Sequence, residues 1–162
     1  GDYAQNIFER ADEFREAGLS FSPSAMQELH TMCEAVAEVL DMTVDGYDNQ
    51  AVSTARMVEP LEEVVDTMKE RLKSRHIERL GRNECTMQTG IHFLDIVHDL
   101  EKISDHCSNI AIYTIQLAEG AAEFDTHAYV KQAYKETPQF AEKLKFYQDK
   151  YLTKIDEVEA ME

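Results

Sequence analysis

Tryptophan is absent from this chain of 162 residues, and only 6 glycines and 3 prolines interrupt it. So few turn formers favour long helices over the many short strands and tight turns of a β-sandwich. Three cysteines, Cys33, Cys85 and Cys107, are odd in number and lack C-x-x-C spacing. They give no disulfide framework and no zinc site, and read as reduced thiols of a cytosolic protein, two of them expected in the core. No apolar run approaches the roughly 20 residues needed to span a bilayer, and no secretory leader is read, so the chain is expected to be soluble. Cationic residues are scarce as well: 16 Lys and Arg stand against 32 Asp and Glu, a formal net charge of −16. A field of that sign repels nucleic acid and anionic lipid but suits cations. A set of solvated helix faces would carry the same charge.

What is present is helical periodicity cut by clear punctuation. A first helix with Ala4, Ile7, Ala11 and Phe14 on one face is expected to end at Gly18. Ser22-Pro23 then supplies an N-cap and a proline at the first helical position. The second helix carries Met26, Leu29, Cys33, Val36, Leu40 and Thr43 three and four residues apart and is expected to stop near Gly46. Asp48 is expected to cap a third helix with Val58, Leu61, Val65, Met68 and Leu72 inward, running to about Gly81. Pro60 inside that run predicts a kink or a restart. The fourth helix, Thr86 to Gly120, has the most regular seam: Ile96, Leu100, Ile103, Cys107, Ile110, Thr114 and Leu117. Thr126 and Thr137-Pro138 open a broken final helix with Phe140, Leu144, Tyr147, Tyr151 and Ile155 inward, and the tail aromatics, Tyr129, Tyr134 and Phe146 among them, read as packing. Seams of this period joined by short links predict an all-α, antiparallel up-down bundle.

Catalytic motifs are missing. There is no Gly-rich phosphate loop, G-x-S-x-G or H-E-x-x-H, and Asp95-x-x-His98 is half of a di-iron carboxylate motif without its partner. A carboxylate-bridged metalloenzyme is therefore the weakest of the readings. The chemistry lies in Glu101-x-x-x-Asp105-x-x-x-Asn109 on the fourth helix, where spacing of four stacks the side chains on one face. That face lies roughly opposite the Ile96–Leu117 seam at about 100° per residue. Oxygen ligands of this kind suit a hard cation such as Mg, Mn or Fe, and a solvated acidic face is the plain alternative. Asp2-x-x-x-Asn6-Ile7 repeats the wording of Asp105-x-x-x-Asn109-Ile110, which suggests an internal repeat. Glu59, Glu62, Glu63 and Asp66 form a further acidic set on the third helix that could face the fourth. Arg71, Arg75, Arg79 and Arg82, with Lys69 and Lys73 nearby, make a basic stripe. It reads as ordinary ion pairing with Glu70, Glu78 and neighbouring helices, or as a contact for a phosphorylated ligand or anionic lipid.

Arg75-His76-Ile77-Glu78-Arg79-Leu80, Glu84-Cys85-Thr86 and Leu100-Glu101-Lys102-Ile103-Ser104-Asp105-His106-Cys107-Ser108-Asn109-Ile110-Ala111 together resemble the PhoU family. In wording they are most similar to the PhoU-like domain that follows the membrane part of bacterial sodium/phosphate cotransporters. The resemblance covers residues 1 to about 120 and implies three-helix repeats with acidic E-x-x-x-D motifs that hold metal. By it, 1–20 is the end of a truncated first repeat, 21–120 a PhoU-like three-helix repeat, and 121–162 a helical extension packed on the bundle. Glu101 and Asp105 correspond to the second repeat's motif and Asp2 to the end of the first, whose Glu would precede the chain. The implied site is Glu101, Asp105, Asn109, Asp2, Asn6, Asp66 and Glu62, taking Fe, Zn, Mn or Mg, with water or a second chain completing the ligands. The implied role is regulatory and not enzymatic. The expected partner is a phosphate transporter, as the membrane part of the same protein or a separate one. The place implied is the cytoplasmic face of the membrane, with a homodimer considered and no nucleic acid involved.

Overall fold

The computed structural model describes residues 1–119 and 127–159. Every regular element among these is helical: α1 (Asp2–Glu16), α2 (Pro23–Asp48), α3 (Val52–Gly81), α4 (Met87–Glu119), α5 (His127–Lys135), α6 (Pro138–Tyr147), a π-helical turn (Gln148–Leu152) and α7 (Thr153–Glu159). The chain is an all-α bundle. Expectations placed on Gly120 and Thr126, and on the side chain of Tyr129, lie outside the described residues.

Local signals set the ends. The Ser22 hydroxyl accepts from the Ala25 N–H, with Pro23 as the first residue of α2, and Thr137 does the same for Phe140 at α6. These caps satisfy N–H groups that no helix can pair internally. At α4 the cap is reciprocal: the Thr86 hydroxyl accepts from the Thr89 N–H while the Thr89 hydroxyl accepts from the Thr86 N–H. Gly18, at φ +64°, closes α1 with paired bonds from its own N–H to Arg15 and from the Leu19 N–H to Phe14. Gly is suited to this left-handed position because it has no Cβ to clash.

Two helix ends differ from the sequence expectation. Gly46 does not stop α2, and Asp48 is its last residue and not the cap of α3, whose first flanking residue is Ala51. Gln50, at φ +50°, makes the left-handed closure instead. Gly46 is a packing residue, because a Cβ there would stand 3.2 Å from the Ala55 nitrogen. Pro60 is a further difference: no restart occurs there, since α3 runs unbroken from Val52 to Gly81. Proline removes the N–H that would have bonded to the Arg56 carbonyl. The Tyr134 hydroxyl, arriving from α5, donates to that carbonyl. A tertiary contact thus fills the gap that proline leaves in the ladder.

Helices α2, α3 and α4 pack mutually and form the central bundle, α1 lies along α4, and α6 to α7 cover α3 and α2. The register follows from side-chain pairs. Glu59 meets Ser108, Lys69 meets Glu101, and His76 stacks on Phe93, so α3 and α4 are antiparallel. Tyr3 meets His106, Arg10 meets Asp95 and Asp99, and Phe14 meets His92, so α1 also runs antiparallel to α4. The core holds Met32, Val39, Leu61, Met68, Leu72, Phe93, Ile112, Tyr147 and Ile155. At about 25 cal/mol per Å² of apolar area, burial of this set is the main force holding the bundle.

The phase of α4 is the main correction. Leu100, Cys107 and Thr114 are buried as the seam requires, but Ile96 and Ile103 are half-buried, and Ile110 and Leu117 are 44% and 79% exposed. Glu101, expected on the face away from the core, is 6% exposed. The face that enters the bundle centres on Val97, Ser104, Ser108 and Ala111, about one 100° residue step from Ile103. Small side chains there let α3 approach, whereas the largest apolar residues, which dominate periodicity, sit to one side. α2 shows the same shift: Met26, Cys33 and Leu40 are exposed, while Met32, Ala35 and Val39 are buried. Of the thiols, Cys107 alone is buried.

Candidate functional site

Two polar clusters lie along α3. Near its C-terminal end, Glu28 of α2 is fully buried and accepts from Arg79 through both oxygens, at 3.0 and 2.6 Å. The Arg75 Nε stands 2.7 Å from the same carboxylate, and its Nη1 donates to the Ile155 carbonyl of α7 at 2.8 Å. His76 stacks on Phe93 with centroids 4.4 Å apart, and the Arg79 guanidinium lies over the same ring. Burial, with Arg79 adding to it, holds His76 down to about 4, so it stays neutral. Gly90 makes room, because a Cβ there would come within 3.0 Å of the His76 ring. This cluster pins α2, α3 and α7 together. Arg75 and Arg79 are thus engaged inside the protein. Arg71 pairs with Asp156 and Arg82 with Glu78 and Glu84 at the surface, which leaves the ion-pairing reading of the stripe standing.

The second cluster centres on the acidic set of α3 and includes Glu62, one of the sequence-predicted site residues. Glu59, Glu62 and Glu63 of α3 each offer an oxygen within 4.8 Å of the others. Glu59 is 1% exposed and accepts from the Ser108 hydroxyl, while the ammonium groups of Lys131 and Lys135 stand 3.0 and 3.2 Å away. Lys135 also pairs with Glu63. Glu62 is buried with Lys131 at 3.9 Å as its nearest counter-charge. Burial first, then the Glu59 charge, with smaller pushes from Glu63 and Asp66, raises its carboxyl to about 7, against the pull of Lys131.

One turn further along α3, Lys69 joins the two helices. Its ammonium lies 3.6 Å from Asp66 and 3.3 Å from Glu101, so carboxylates from α3 and α4 converge on one positive charge. Glu101 Oε2 makes no hydrogen bond, and besides Lys69 its carboxylate meets Lys102 at 3.4 Å and the exposed His98 at 4.0 Å. Asp105 follows at the next turn, half-buried, and the Asn109 amide donates back to the Asp105 backbone carbonyl at 2.9 Å. Asp2 lines a cavity with Tyr3, Ile103 and His106, and Asn6 is half-buried on α1. Among the described residues, Asp2 and Asn6 make no hydrogen bond or ion pair with Glu62, Asp66 or Glu101. The lysines from α5 and the hydroxyl of Ser108 were not legible as site members. Their only sequence signal is a Lys131-x-x-x-Lys135 spacing, about one helical turn, that matches Glu59-x-x-x-Glu63 of α3.

Oxygen ligands converging from two helices fit a hard cation, and the Lys69 ammonium stands where such an ion would neutralise Asp66 and Glu101. No helix among the described residues is long and apolar enough to cross a membrane.

Comparison with known proteins agrees with this architecture. The chain is 22% identical over 120 residues to the phosphate-specific transport system accessory protein PhoU homolog 1 of Thermotoga maritima. The aligned part is 74% of this chain and 51% of that protein, so the chain spans about half the length of its curated relative. No solved structure matches. The PhoU domain model matches residues 29–114, which take in most of α2, all of α3 and α4 as far as Thr114. The chain belongs to the PhoU domain family.

Proposed function

We propose that this chain is a regulatory module of phosphate uptake that acts through binding and helix packing and carries out no reaction of its own. Membership of the PhoU family over the central three helices carries this reading. In its finer form the module is the PhoU-like part of a sodium-dependent phosphate cotransporter, held at the cytoplasmic face of the membrane by the transport part of the same protein. A free-standing accessory regulator is the second reading, favoured by the name of the Thermotoga maritima relative. Apolar spans of about 20 residues encoded upstream of residue 1 would select the first.

Within this role Glu62 and Asp66 of α3 and Glu101 and Asp105 of α4 take up an Fe, Zn, Mn or Mg ion. A bound ion would replace the Lys69 charge between the helices and fix their spacing. Four carboxylates do not fill six positions, so water completes the shell. Mn²⁺ added to the purified chain should raise the melting temperature, because a ligand held only by the native state adds RT ln(1 + [L]/Kd). The double variant Glu101→Gln, Asp105→Asn should lose that rise, judged against its own apo melting point, which falls because Lys69 loses the buried Glu101 charge. Uptake of radiolabelled phosphate by cells lacking the gene tests the wider role: uptake that no longer responds to external phosphate is expected, restored by the wild-type gene. An unchanged response would remove phosphate regulation from the reading.

A further inference from the structure

α5, His127–Lys135, lies outside the residues matched to the PhoU family. Its 9 residues are too few to stay helical alone in water, so contacts with the bundle must hold it. Lys131, Tyr134 and Lys135 are spaced i, i+3 and i+4, share one face, and all reach α3. The Lys131 ammonium stands 3.0 Å from Glu59, 3.9 Å from Glu62 and 3.4 Å from the Ser108 hydroxyl of α4. Lys135 stands 3.2 Å from Glu59 and pairs with Glu63, and the Tyr134 hydroxyl donates to the Arg56 carbonyl.

This attachment is polar and open to exchange. Of the described side chains of α5 only Tyr134 is buried, its ring edge-on to Phe140 at 5.5 Å. The lysine side chains are 23% and 29% exposed, so water reaches both. An ammonium on a flexible stem is a point charge, with no fork geometry to lose when another cation takes its place. What lies beneath α5 belongs in part to the candidate cation site. Glu62 is one of its ligands and Lys131 is the nearest counter-charge of Glu62, with Asp66 one turn further along α3. A divalent ion on Glu62 takes up the charge that Lys131 shares and repels the ammonium itself. Ion binding and α5 docking are then opposed, and the opposition acts equally in both directions.

We propose, resting on the cation site of Glu62, Asp66, Glu101 and Asp105, that α5 is a latch on the acidic strip of α3, closed through Lys131, Tyr134 and Lys135 and released by a divalent cation entering at Glu62. Docked, α5 supplies the counter-charge and lowers cation affinity. Released, it uncovers Glu59, Glu63 and the Arg56 carbonyl, so the level of the cation becomes a change of surface that a partner can read.

Titration calorimetry of the full chain with Mn²⁺ tests the latch. Tyr134→Phe removes the docking hydroxyl and leaves every charge in place. It should bind Mn²⁺ at least about threefold tighter than wild type, because more of the molecules have the latch open. Lys131→Gln with Lys135→Gln should gain at least about tenfold. Lys143→Gln with Lys145→Gln, the same loss of charge on α6, should stay within about twofold of wild type. Hydrogen exchange is the second readout: saturating Mn²⁺ should speed exchange in residues 127–135 of the wild type by at least about tenfold and leave α2 unchanged. Circular dichroism melts check folding, and if the lysine variant does not fold, Tyr134→Phe and the exchange readout decide.

A Tyr134→Phe affinity equal to wild type, or α5 exchange unmoved in the Mn²⁺-bound wild type, would each overturn the latch and leave the cation site standing. A gain in the lysine variant alone would reduce the effect to nearby charge and overturn the latch as well. No Mn²⁺ binding by any of the proteins would remove the cation site and the latch with it. Binding by Tyr134→Phe and the lysine variant with none by wild type would be the latch at full strength.

Discussion

Two buried polar clusters on the same helix, about four turns apart, differ in how they are completed. At Glu28–Arg75–Arg79 one carboxylate is held by two guanidinium groups, with a backbone carbonyl and an aromatic ring taking the remaining positive character. At Glu59–Glu62–Glu63 three carboxylates share two lysines, and burial raises Glu62 to about 7, so that it is divided between its protonated and charged forms at neutral pH. The arginine cluster uses rigid forks whose geometry matches a carboxylate, so it holds one arrangement. The lysine cluster uses flexible point charges that another cation could replace. The first is a structural clasp and the second is poised to respond to its surroundings, although both read in sequence as charged residues on a helix.

The difference can be broken most decisively at the clasp. Glu28→Gln should cost about 3–5 kcal/mol in urea unfolding, because two buried arginines lose their counter-charge. A loss below 1 kcal/mol would mean that water reaches the cluster. The responsive cluster should show its character through pH. Glu62 is pushed up to about 7 in the folded chain from the ordinary 4.5 of a free glutamate, so the unfolded chain releases its proton first. Its stabilising contribution is therefore complete below about pH 4.5 and is lost as pH rises through 7, by about 3 kcal/mol at most. Glu62→Gln should flatten that slope between pH 5 and 8 and be more stable than wild type at pH 8, as read from denaturation series at fixed ionic strength.

Smaller effects sharpen the comparison. Tyr134→Phe should lose about 1–3 kcal/mol by leaving the Arg56 carbonyl without the hydroxyl that replaces Pro60's missing N–H. Restoring the donor with Pro60→Ala in the same chain should recover part of the loss, and a double-mutant cycle showing no coupling would sever the two. Arg71→Ala, at an exposed pair with Asp156 in the same basic stripe, should cost no more than about 1 kcal/mol and less in high salt. A large loss there would show that exposure is a poor guide to which arginines hold the fold.

The sequence by itself determined the local events. Ser22-Pro23, Thr137-Pro138 and Gly18 each act within a turn of their own position, so the caps could be read without knowing any neighbour. The all-α class followed from periodicity and the lack of breakers. Only the tertiary structure decided which face of each helix is inside. α4 touches α1, α2, α3 and α5, and more than one of its faces is covered. The strongest apolar stripe, Ile103, Ile110 and Leu117, lies to one side and is partly exposed, and small Ser104, Ser108 and Ala111 enter the bundle. Glu101 and Lys69 were legible as members of an acidic and a basic set, but their meeting was not, because a spacing rule describes one helix and an ion pair needs two. Glu28 with Arg79, 51 residues apart, and Glu59 with Lys131 are of the same kind. Pro60 joins the two levels: its sequence predicts a kink or a restart, the helix does not restart, and a hydroxyl brought from 78 residues away along the chain donates to the Arg56 carbonyl that proline leaves without its N–H partner.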